Sequence, residues 1–373
     1  MIARNVSARG VEGSRIAAEL AEKLEGGGQR LVVAFVDSRV DDVAAFAREL
    51  QRRVDAPVVG CTAIAVVGVT EPGPVSTALG LYGDWLRVGV GVATELVKSP
   101  IVRSREAVRR AAAALRESPD ALDPKRHVVF TLVDRTGEHD DAFCLGSAAA
   151  VPQLKVIGGV ASADLVGGTA RVFAQGEAVA DGGIAVLLES RRRFEAFSSQ
   201  HVVPTELKMV VTGVGDRSIT ELDGKPAGER LREQLATIGM ELDAPRPTRY
   251  TFARYVDGVP YVRSVVGIEG NTIAMAVSVE PGHVVRVMRT GDLVGTTRAD
   301  LAAVADRIGG IDALLAWSCL SRHWEADASG LTRELAAAYT EYPTTGYCSM
   351  GEQTGMLLVN YTLCGLAIGG PLS

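Results

Sequence analysis

Leu31-Val32-Val33-Ala34-Phe35-Val36-Asp37 is the stretch of sequence that decides the fold. A continuous apolar run of this length that ends in a carboxylate predicts a β-strand buried on both faces. A helical stripe of apolar residues follows it, and Pro57-Val58-Val59-Gly60-Cys61-Thr62 predicts a second short strand. A strand–helix–strand segment of this kind favours parallel pairing of its two strands.

The same pattern returns near the C-terminus. Residues 313–319 predict a buried strand, an apolar-striped helix follows, and residues 343–349 predict a closing strand. When the two closing strands are aligned, Gly60 falls on Gly346, and a spacing of roughly thirty residues from first strand to glycine is a plausible repeat period. The sequence therefore predicts an internal duplication.

A looser third copy lies between these two, with strands at residues 128–133 and 155–159. Other segments alternate around glycine turns and predict antiparallel hairpins, at residues 75–92 and 251–279. We therefore expect an α/β protein with two lobes of mixed parallel and antiparallel sheets, flanked by helices and related by duplication. The Pro-containing segment at residues 240–248 is the predicted domain boundary.

Composition narrows the class of protein. A chain of 373 residues is too long for one ordinary hydrophobic core, which predicts two domains or a duplicated unit. A net charge of −6 argues against a nucleic-acid partner. The sequence contains no run of about 18 apolar residues, so it predicts no membrane span. Five cysteines without a CxxC pair predict reduced thiols and a cytoplasmic location.

Several stretches resemble the FIST N-terminal and C-terminal domains. Gly60-Cys61-Thr62 resembles the "GCS" turn of the N-terminal domain, and residues 158–164 resemble its "GGlAgD" turn. The "VT…i.eLdG.PA" signature is matched by Val211-Thr212, Ile219, Glu221-Leu222-Asp223-Gly224 and Pro226-Ala227. The C-terminal domain is matched by Arg263, Val279-Glu280-Pro281-Gly282, Ser318-Cys319, Arg322 and residues 346–352. The resemblance divides the chain into residues 14–240 and 241–373.

This resemblance implies an input module of bacterial signal transduction that binds a small ligand such as an amino acid. A subset of the family resembles heme-binding nitric oxide sensors that regulate a separate histidine kinase or cyclic-di-GMP enzyme. The chain departs from the family in its first copy, where Ala65-Val66 replaces the Gly-Glu that the second copy keeps at Gly351-Glu352.

The glycine-ended strands are the first candidate site. Ligands on α/β sheets bind outside the carboxyl ends of strands, and glycine lets a ligand approach backbone N–H groups. The alternative is that each glycine only supplies a positive φ in a tight turn. The predicted ligand-contacting residues here are Gly60, Cys61, Thr62, Gly159, Ser162 and Ser349.

Arg322 and Glu352 of the last copy are the second candidate. A guanidinium could hold a ligand carboxylate in a fork, and Glu352 could hold an amino group, a pair that suits an amino acid. The alternative is an internal ion pair that ties two strand ends together. Arg263 is a weaker candidate of the same kind.

Histidines bear on the heme question, because heme iron in a gas sensor needs a neutral imidazole beside an apolar slot. His201 follows a strand with aromatic residues and is the first choice as the ligand of a heme b iron, with His323, beside Trp324, as the second. The alternative for either is a satisfied or exposed side chain. No CxxCH occurs, which excludes covalent heme attachment.

An enzyme is the third possibility. Cys319 and His323 could be a nucleophile and a base, or zinc ligands together with Cys348. No third orienting group and no paired-cysteine knuckle accompany them. We therefore expect a ligand-binding sensory protein rather than an enzyme.

Overall fold

The computed structural model describes residues 2–134, 139–164, 168–242, 247–256 and 258–372. The chain begins with a unit that we call unit 1. Its elements are β1 (Ala3–Arg9), α1 (Gly13–Lys23), β2 (Gln29–Asp37), α2 (Val43–Arg53), β3 (Val58–Ala63) and β4 (Val75–Tyr82). β2 and β3 pair in parallel as predicted, and β4 lies antiparallel between β1 and β2, which gives the order β1-β4-β2-β3.

Unit 2 repeats this arrangement. Its elements are β5 (Leu86–Thr94), α3 (Pro100–Ala114), a short 3₁₀ helix (Pro119–Ala121), β6 (His127–Val133), α4 (Asp140–Ala149), β7 (Val156–Val160), β8 (Val172–Ala174), β9 (Glu177–Val179) and β10 (Gly182–Ser190). Its strand order, β5-β10-β6-β7, matches that of unit 1. The predicted hairpin at residues 75–92 is wrong, because β4 and β5 follow each other in sequence but lie in different sheets.

Unit 3 opens with β11 (Arg192–Ser199) and is then interrupted by a β-rich insertion. The insertion contains β12 (Val203–Gly215), β13 (Ser218–Leu222), β14 (Lys225–Pro226), α5 (Ala227–Thr237), β15 (Tyr250–Val256), β16 (Val259–Arg263), β17 (Val265–Glu269), β18 (Thr272–Met275) and β19 (Val284–Arg289). Its hairpins β15–β16 and β17–β18 confirm the two turns predicted within residues 251–279.

The insertion has a core of its own, in which Leu231 and Leu235 of α5 pack with Tyr250 and Phe252 of β15. The segment at residues 240–248, proposed above as a domain boundary, joins these two elements. The division of the chain into residues 14–240 and 241–373 stays a prediction about family modules.

After the insertion, unit 3 resumes. Its remaining elements are α6 (Leu293–Ile308), β20 (Ala313–Cys319), α7 (Leu320–Ala328), α8 (Thr332–Thr340), β21 (Thr344–Ser349), β22 (Glu352–Thr354), β23 (Leu357–Val359) and β24 (Leu363–Pro371). The strand order β11-β24-β20-β21 repeats that of the other two units. None of the helices in the described ranges is long and apolar enough to cross a membrane.

The register of the parallel pairs confirms the duplication and completes the third copy. Gly60 pairs with Ala34, Gly158 with Thr131, and Gly346 with Ala316. A Cβ on any of these glycines would overlap the carbonyl oxygen of its cross-strand partner. Close packing, rather than a positive φ, therefore requires glycine at all three positions. The sequence pattern placed Gly159 at this position of unit 2. The structure corrects this, because the equivalent residue is Gly158.

The three units close into a ring through the segments that follow their closing strands. β8 of unit 2 pairs with β3 of unit 1, and β22 of unit 3 pairs with β7 of unit 2. Val66, just after β3, forms a single antiparallel bridge with Tyr347 of β21. Units 2 and 3 thus each extend the sheet of another unit, unit 1 reaches unit 3 through one bridge, and the inner faces of all three sheets share one apolar core.

Candidate ligand site

The three junctions of the ring are built differently. After β7 and β21 the chain forms two-stranded hairpins, β8–β9 and β22–β23. After β3, residues 64–74 form a loop, which we call the 64–74 loop, with one antiparallel bridge made by two backbone bonds. In these bonds Val67 donates to the carbonyl of Gly346 (3.0 Å) and Cys348 donates to the carbonyl of Ala65 (2.9 Å). One junction of the ring is therefore less tightly closed than the other two.

A cavity of about 270 Å³ lies at this looser junction, and we call it the junction cavity. It is bounded by the end of β2, the 64–74 loop, the first residue of β4, and α7 with the start of α8. Its lining residues are Asp37, Ile64, Ala65, Val66, Val69, Thr70, Glu71, Pro72, Gly73, Val75, His323, Asp327 and Thr332. The cavity therefore lies outside the carboxyl ends of the parallel strands β2 and β3, where ligands of α/β sheets bind.

A smaller pocket of about 20 Å³ adjoins it at the ends of β20 and β21. Ser318, Tyr339 and Cys348 line this inner pocket, and the Ser318 and Tyr339 hydroxyls lie 2.8 Å apart. The two spaces share wall residues, among them Val66 and His323. The strand ends of the first and last copies thus meet at one recess.

His323 and Thr332 are the polar side chains that line both spaces, and only His323 has an ionisable side chain. No hydrogen bond to its imidazole occurs within the described residues, and the side chain is partly buried. Burial lowers the pKa of His323, and the charge of Asp327, four residues further along α7, opposes this effect. A neutral imidazole can both accept and donate a hydrogen bond to a ligand.

The carboxylates of the junction cavity differ in their partners. Asp37 is held by Arg39 in a two-pronged pair, with both nitrogen–oxygen distances at 2.8 Å, and accepts the amide of Val75 (3.2 Å). Glu71, at the exposed rim, pairs with Arg9. Asp327 is exposed and has no ion pair within the described part of the chain.

The predicted glycine-turn residues converge, but they fasten the ring instead of lining the cavity. The Oγ of Ser162 donates to the carbonyl of Cys348 (2.6 Å) and accepts the amide of Ile64 (2.9 Å). The carbonyl of Thr62 accepts the amide of Ser162 (3.1 Å). Gly60, Cys61 and Gly159 are buried beside them. These residues therefore hold the three closing strands together at the centre of the protein.

Arg322 lies on the inner face of α7, fully buried. Its Nη1 donates to Nδ1 of His201 (3.2 Å) and its Nη2 donates to Oγ1 of Thr297 (2.7 Å). His201 in turn donates from Nε2 to Oε2 of Glu325 (2.7 Å). The guanidinium fork is therefore used within the protein, and Arg322 forms no ion pair with Glu352 within the described residues.

Units 1 and 2 have an aspartate at the end of the first strand of their parallel pair, β2 or β6. In unit 3 the carboxyl of Glu352 takes the place of that aspartate. Asp37 accepts the amide of Val75 and Asp134 accepts the amide of Gly182, each 3.2 Å away and each at the start of the returning strand. The matching position in unit 3 is Cys319.

The Glu352 carboxyl reaches into the space beside Cys319, and its Oε1 accepts from Oγ of Ser349 (2.6 Å). Burial raises the pKa of Glu352 well above its usual range, although Ser349, Arg322 and the backbone of Thr362 oppose this effect. Glu352 is fully buried and is not one of the residues that line the junction cavity, so its role here is structural.

The remaining predicted residues also lie outside the cavity. Arg263 donates to the carbonyl of Leu358 (3.0 Å) and lies 3.6 Å from Asp141, between the insertion and α4. Burial raises the pKa of the Cys319 thiol to about 12, which does not suit a nucleophile at neutral pH. No group of three metal-ligating side chains occurs among the residues that the structure describes.

A heme bound through His201 does not fit these residues. Both imidazole nitrogens are hydrogen-bonded, and the side chain is completely buried. His323 has the free imidazole that an iron ligand needs, but the junction cavity, at about 270 Å³, lies below the range of about 300–1,000 Å³ typical of ligand pockets. The heme prediction therefore depends on His323 and on an opening of the 64–74 loop.

Sequence reasoning missed Asp37, Thr70 and Asp327 as cavity residues. The available signal was the replacement of Gly-Glu by Ala65-Val66, because Glu352 is the first residue of a hairpin that unit 1 lacks. That departure marks the junction at which the ring is looser.

The fold is a ring of three α/β units with a cavity at one junction. The FIST N domain matches residues 30–225 and the FIST C domain matches residues 227–354, so the chain belongs to the FIST family. FIST domains are associated with the sensing of small ligands in signal transduction.

Among solved structures, a cyanuric acid hydrolase from A. caulinodans is similar over 99% of both chains, at 12% identity and a TM-score of 0.33. A similarity of that size does not establish a common fold. No curated protein matches the chain.

Proposed function

We propose that this protein is a sensor that binds a small ligand in the junction cavity and regulates a separate signalling partner. The observation that supports this proposal best is the place of the cavity, at the carboxyl ends of parallel strands from the first and last units. The FIST family supplies the association with signal transduction. A histidine kinase or a cyclic-di-GMP enzyme is the class of partner that the family resemblance favours.

The two faces of α7 offer a route from ligand to partner. His323 and Asp327 face the junction cavity, while Arg322 and Glu325 bind His201 on the opposite side. His201 lies at the point where the chain enters the insertion. A ligand that shifts α7 therefore changes the contacts that orient the insertion. The size of the signal is set by the difference in ligand affinity between the two arrangements.

Binding of a panel of amino acids and other metabolites to the full chain tests the proposal. A ligand of the folded state raises the melting temperature as its concentration exceeds Kd. Val69→Trp, which fills the junction cavity, should abolish that response. The matched control is Val97→Trp, at a valine that is 56% exposed and lies outside the cavity. A response that survives in Val69→Trp, with the variant folded, would place the ligand elsewhere and refute the proposed site.

A heme b-dependent nitric oxide sensor is the second candidate, and the free imidazole of His323 favours it. A heme would supply an iron that binds the gas, and His323 would hold that iron. The visible spectrum of the purified chain separates the two versions. A Soret band that disappears in His323→Ala selects the heme version, and a colourless protein that heme cannot reconstitute rules it out.

A further inference from the structure

The charges around the junction cavity are one-sided. Its thirteen lining residues include three carboxylates, Asp37, Glu71 and Asp327, and neither a lysine nor an arginine. The inner pocket adds no charged residue apart from the shared His323. A ligand that enters this space therefore meets acidic groups and no free cation.

The nearest arginines are already engaged. The guanidinium of Arg39 is paired with Asp37, and Arg9 pairs with Glu71 at the rim. A ligand carboxylate would have to compete with these pairs, and it would also face Asp327. Like charges placed together in this way oppose binding strongly.

A cationic head group has a ready partner instead. Asp327 has no ion pair within the described residues, and His323 lies one helical turn before it on the same face of α7. An ammonium group between them could donate one hydrogen bond to the carboxylate and another to the neutral imidazole. The two residues form a short acceptor pair at the wall of the cavity.

Apart from Thr70 and Thr332, the rest of the cavity is apolar. Ile64, Val66, Val69 and Val75 line it from unit 1, and Leu335 of α8 extends this surface into the inner pocket. These side chains suit a short hydrocarbon body with no further polar group, because an unpaired polar group there would lose its hydration.

We propose that the junction cavity selects a small aliphatic primary amine without a carboxylate, with the ammonium group on Asp327 and His323. This inference rests on the proposed function, because it concerns the ligand of the same site. It departs from the amino acid that the family resemblance suggests, since an amino acid carries the carboxylate that this cavity does not accommodate.

Calorimetric titration of the full chain with matched pairs tests the proposal. Each pair consists of an amino acid and the amine left after its decarboxylation: leucine with isopentylamine, and valine with isobutylamine. We expect at least one amine to bind at least about tenfold more tightly than its amino acid, a difference equivalent to one charge-assisted hydrogen bond. Isopentanol, which lacks the charge, should bind more weakly than isopentylamine.

Asp327→Asn should weaken amine binding about tenfold and reduce its dependence on salt. The matched control is Asp306→Asn, at an exposed carboxylate of α6 that does not line the cavity. Amine binding that Asp327→Asn leaves unchanged, or an amino acid that binds as tightly as its amine, would overturn the proposal.

The outcomes separate this inference from the proposed function. An amino acid that binds at least as tightly as its amine, with binding lost in Val69→Trp, refutes the amine and leaves the sensor site in place. If binding of every probe and metabolite is unchanged in Val69→Trp, both proposals fail together.

Discussion

The hairpin β22–β23 of unit 3 and the 64–74 loop of unit 1 occupy equivalent positions, but they close their junctions of the ring to different degrees. All three residues of β22 pair with β7, and the side-chain amide of Gln353 donates to the carbonyl of Cys144 and to Oγ of Ser147, both at 3.0 Å. The loop forms one bridge and leaves a cavity behind it. A repeated fold thus leaves a cavity where one copy does not complete the repeat.

The largest effect is expected where the copies are most alike. Alanine at Gly60, Gly158 or Gly346 places a Cβ against a carbonyl oxygen of the neighbouring strand. Each change should therefore lower the free energy of unfolding by about 3 kcal/mol. Urea unfolding measures this. Gly27→Ala, which meets open space, is the control and should change stability by less than about 0.5 kcal/mol. If Gly346→Ala left the free energy of unfolding unchanged, the three units would not be equivalent at this position.

The second prediction contrasts the hairpin with the loop. Gln353→Leu leaves the buried Thr131 hydroxyl without its acceptor and removes the donor to Ser147 and to the carbonyls of Cys144 and Gly355, so it should cost about 2–3 kcal/mol. Val66→Ala removes only two methyl groups' worth of packing at the loop, about 1–1.5 kcal/mol. The same urea titration compares them. Equal losses would mean that the two junctions are equally closed.

The third prediction concerns the carboxyl that distinguishes unit 3. The pKa of Glu352 is raised in the folded state, so the unfolded chain releases this proton at a lower pH than the folded chain does. The stabilisation from the retained proton is complete below the unfolded pKa and is lost as pH rises. Glu352→Gln should therefore gain stability at pH 7, on the order of 1 kcal/mol, and gain nothing at pH 4. A loss at pH 7 would show an ionised, paired Glu352.

The fourth prediction concerns the network behind α7. Burial is the main cause that lowers the pKa of His201, and the bond to Glu325 opposes it. The stabilisation from the neutral imidazole is present above the unfolded pKa of about 6.5 and is lost as pH falls through the folded value. His201→Gln should flatten the pH dependence of the melting temperature between pH 7 and 5. An unchanged slope in this variant would contradict the pKa direction.

The smallest effect should appear in amide exchange. The amides of residues 68–73 donate no backbone hydrogen bond within the described chain, whereas the amides of β22 are paired with β7. Hydrogen exchange should therefore be fast in the 64–74 loop and slow in the hairpin. A bound ligand should slow exchange in the loop and leave the hairpin unchanged. Protection of both segments in the free protein would remove the distinction between the junctions.

The structural features that were predicted correctly are those that depend on a local sequence pattern. The apolar run at residues 31–37, the parallel pairing and the alignment of Gly60 with Gly346 follow from periodicity and glycine position, and the structure confirms them. The strands that close the ring have only three residues each, in β8, β22 and their partners β9 and β23. Strands so short leave no periodic signal, because their pairing depends on distant parts of the chain.

The predicted strand-end site coincides in place with the junction cavity, but most of the side chains predicted for it do not line that cavity. The strand ends of the first and last units do meet at a recess, as the repeat suggested. Arg322 and Glu352 are charged residues in otherwise apolar surroundings, and sequence alone cannot tell a buried network from a ligand site. Their hydrogen bonds to His201, Thr297 and Ser349 decide the matter in favour of structure.

The place of β24 in the third sheet has a consequence for biosynthesis. β24 lies between β11 and β20, so β11 has no neighbour in its sheet until the ribosome has made residues 363–371. The first two units carry their own returning strands and can form sooner. The nascent chain therefore exposes an unpaired edge at β11 throughout the synthesis of the insertion, an interval in which chaperone capture would protect it from aggregation.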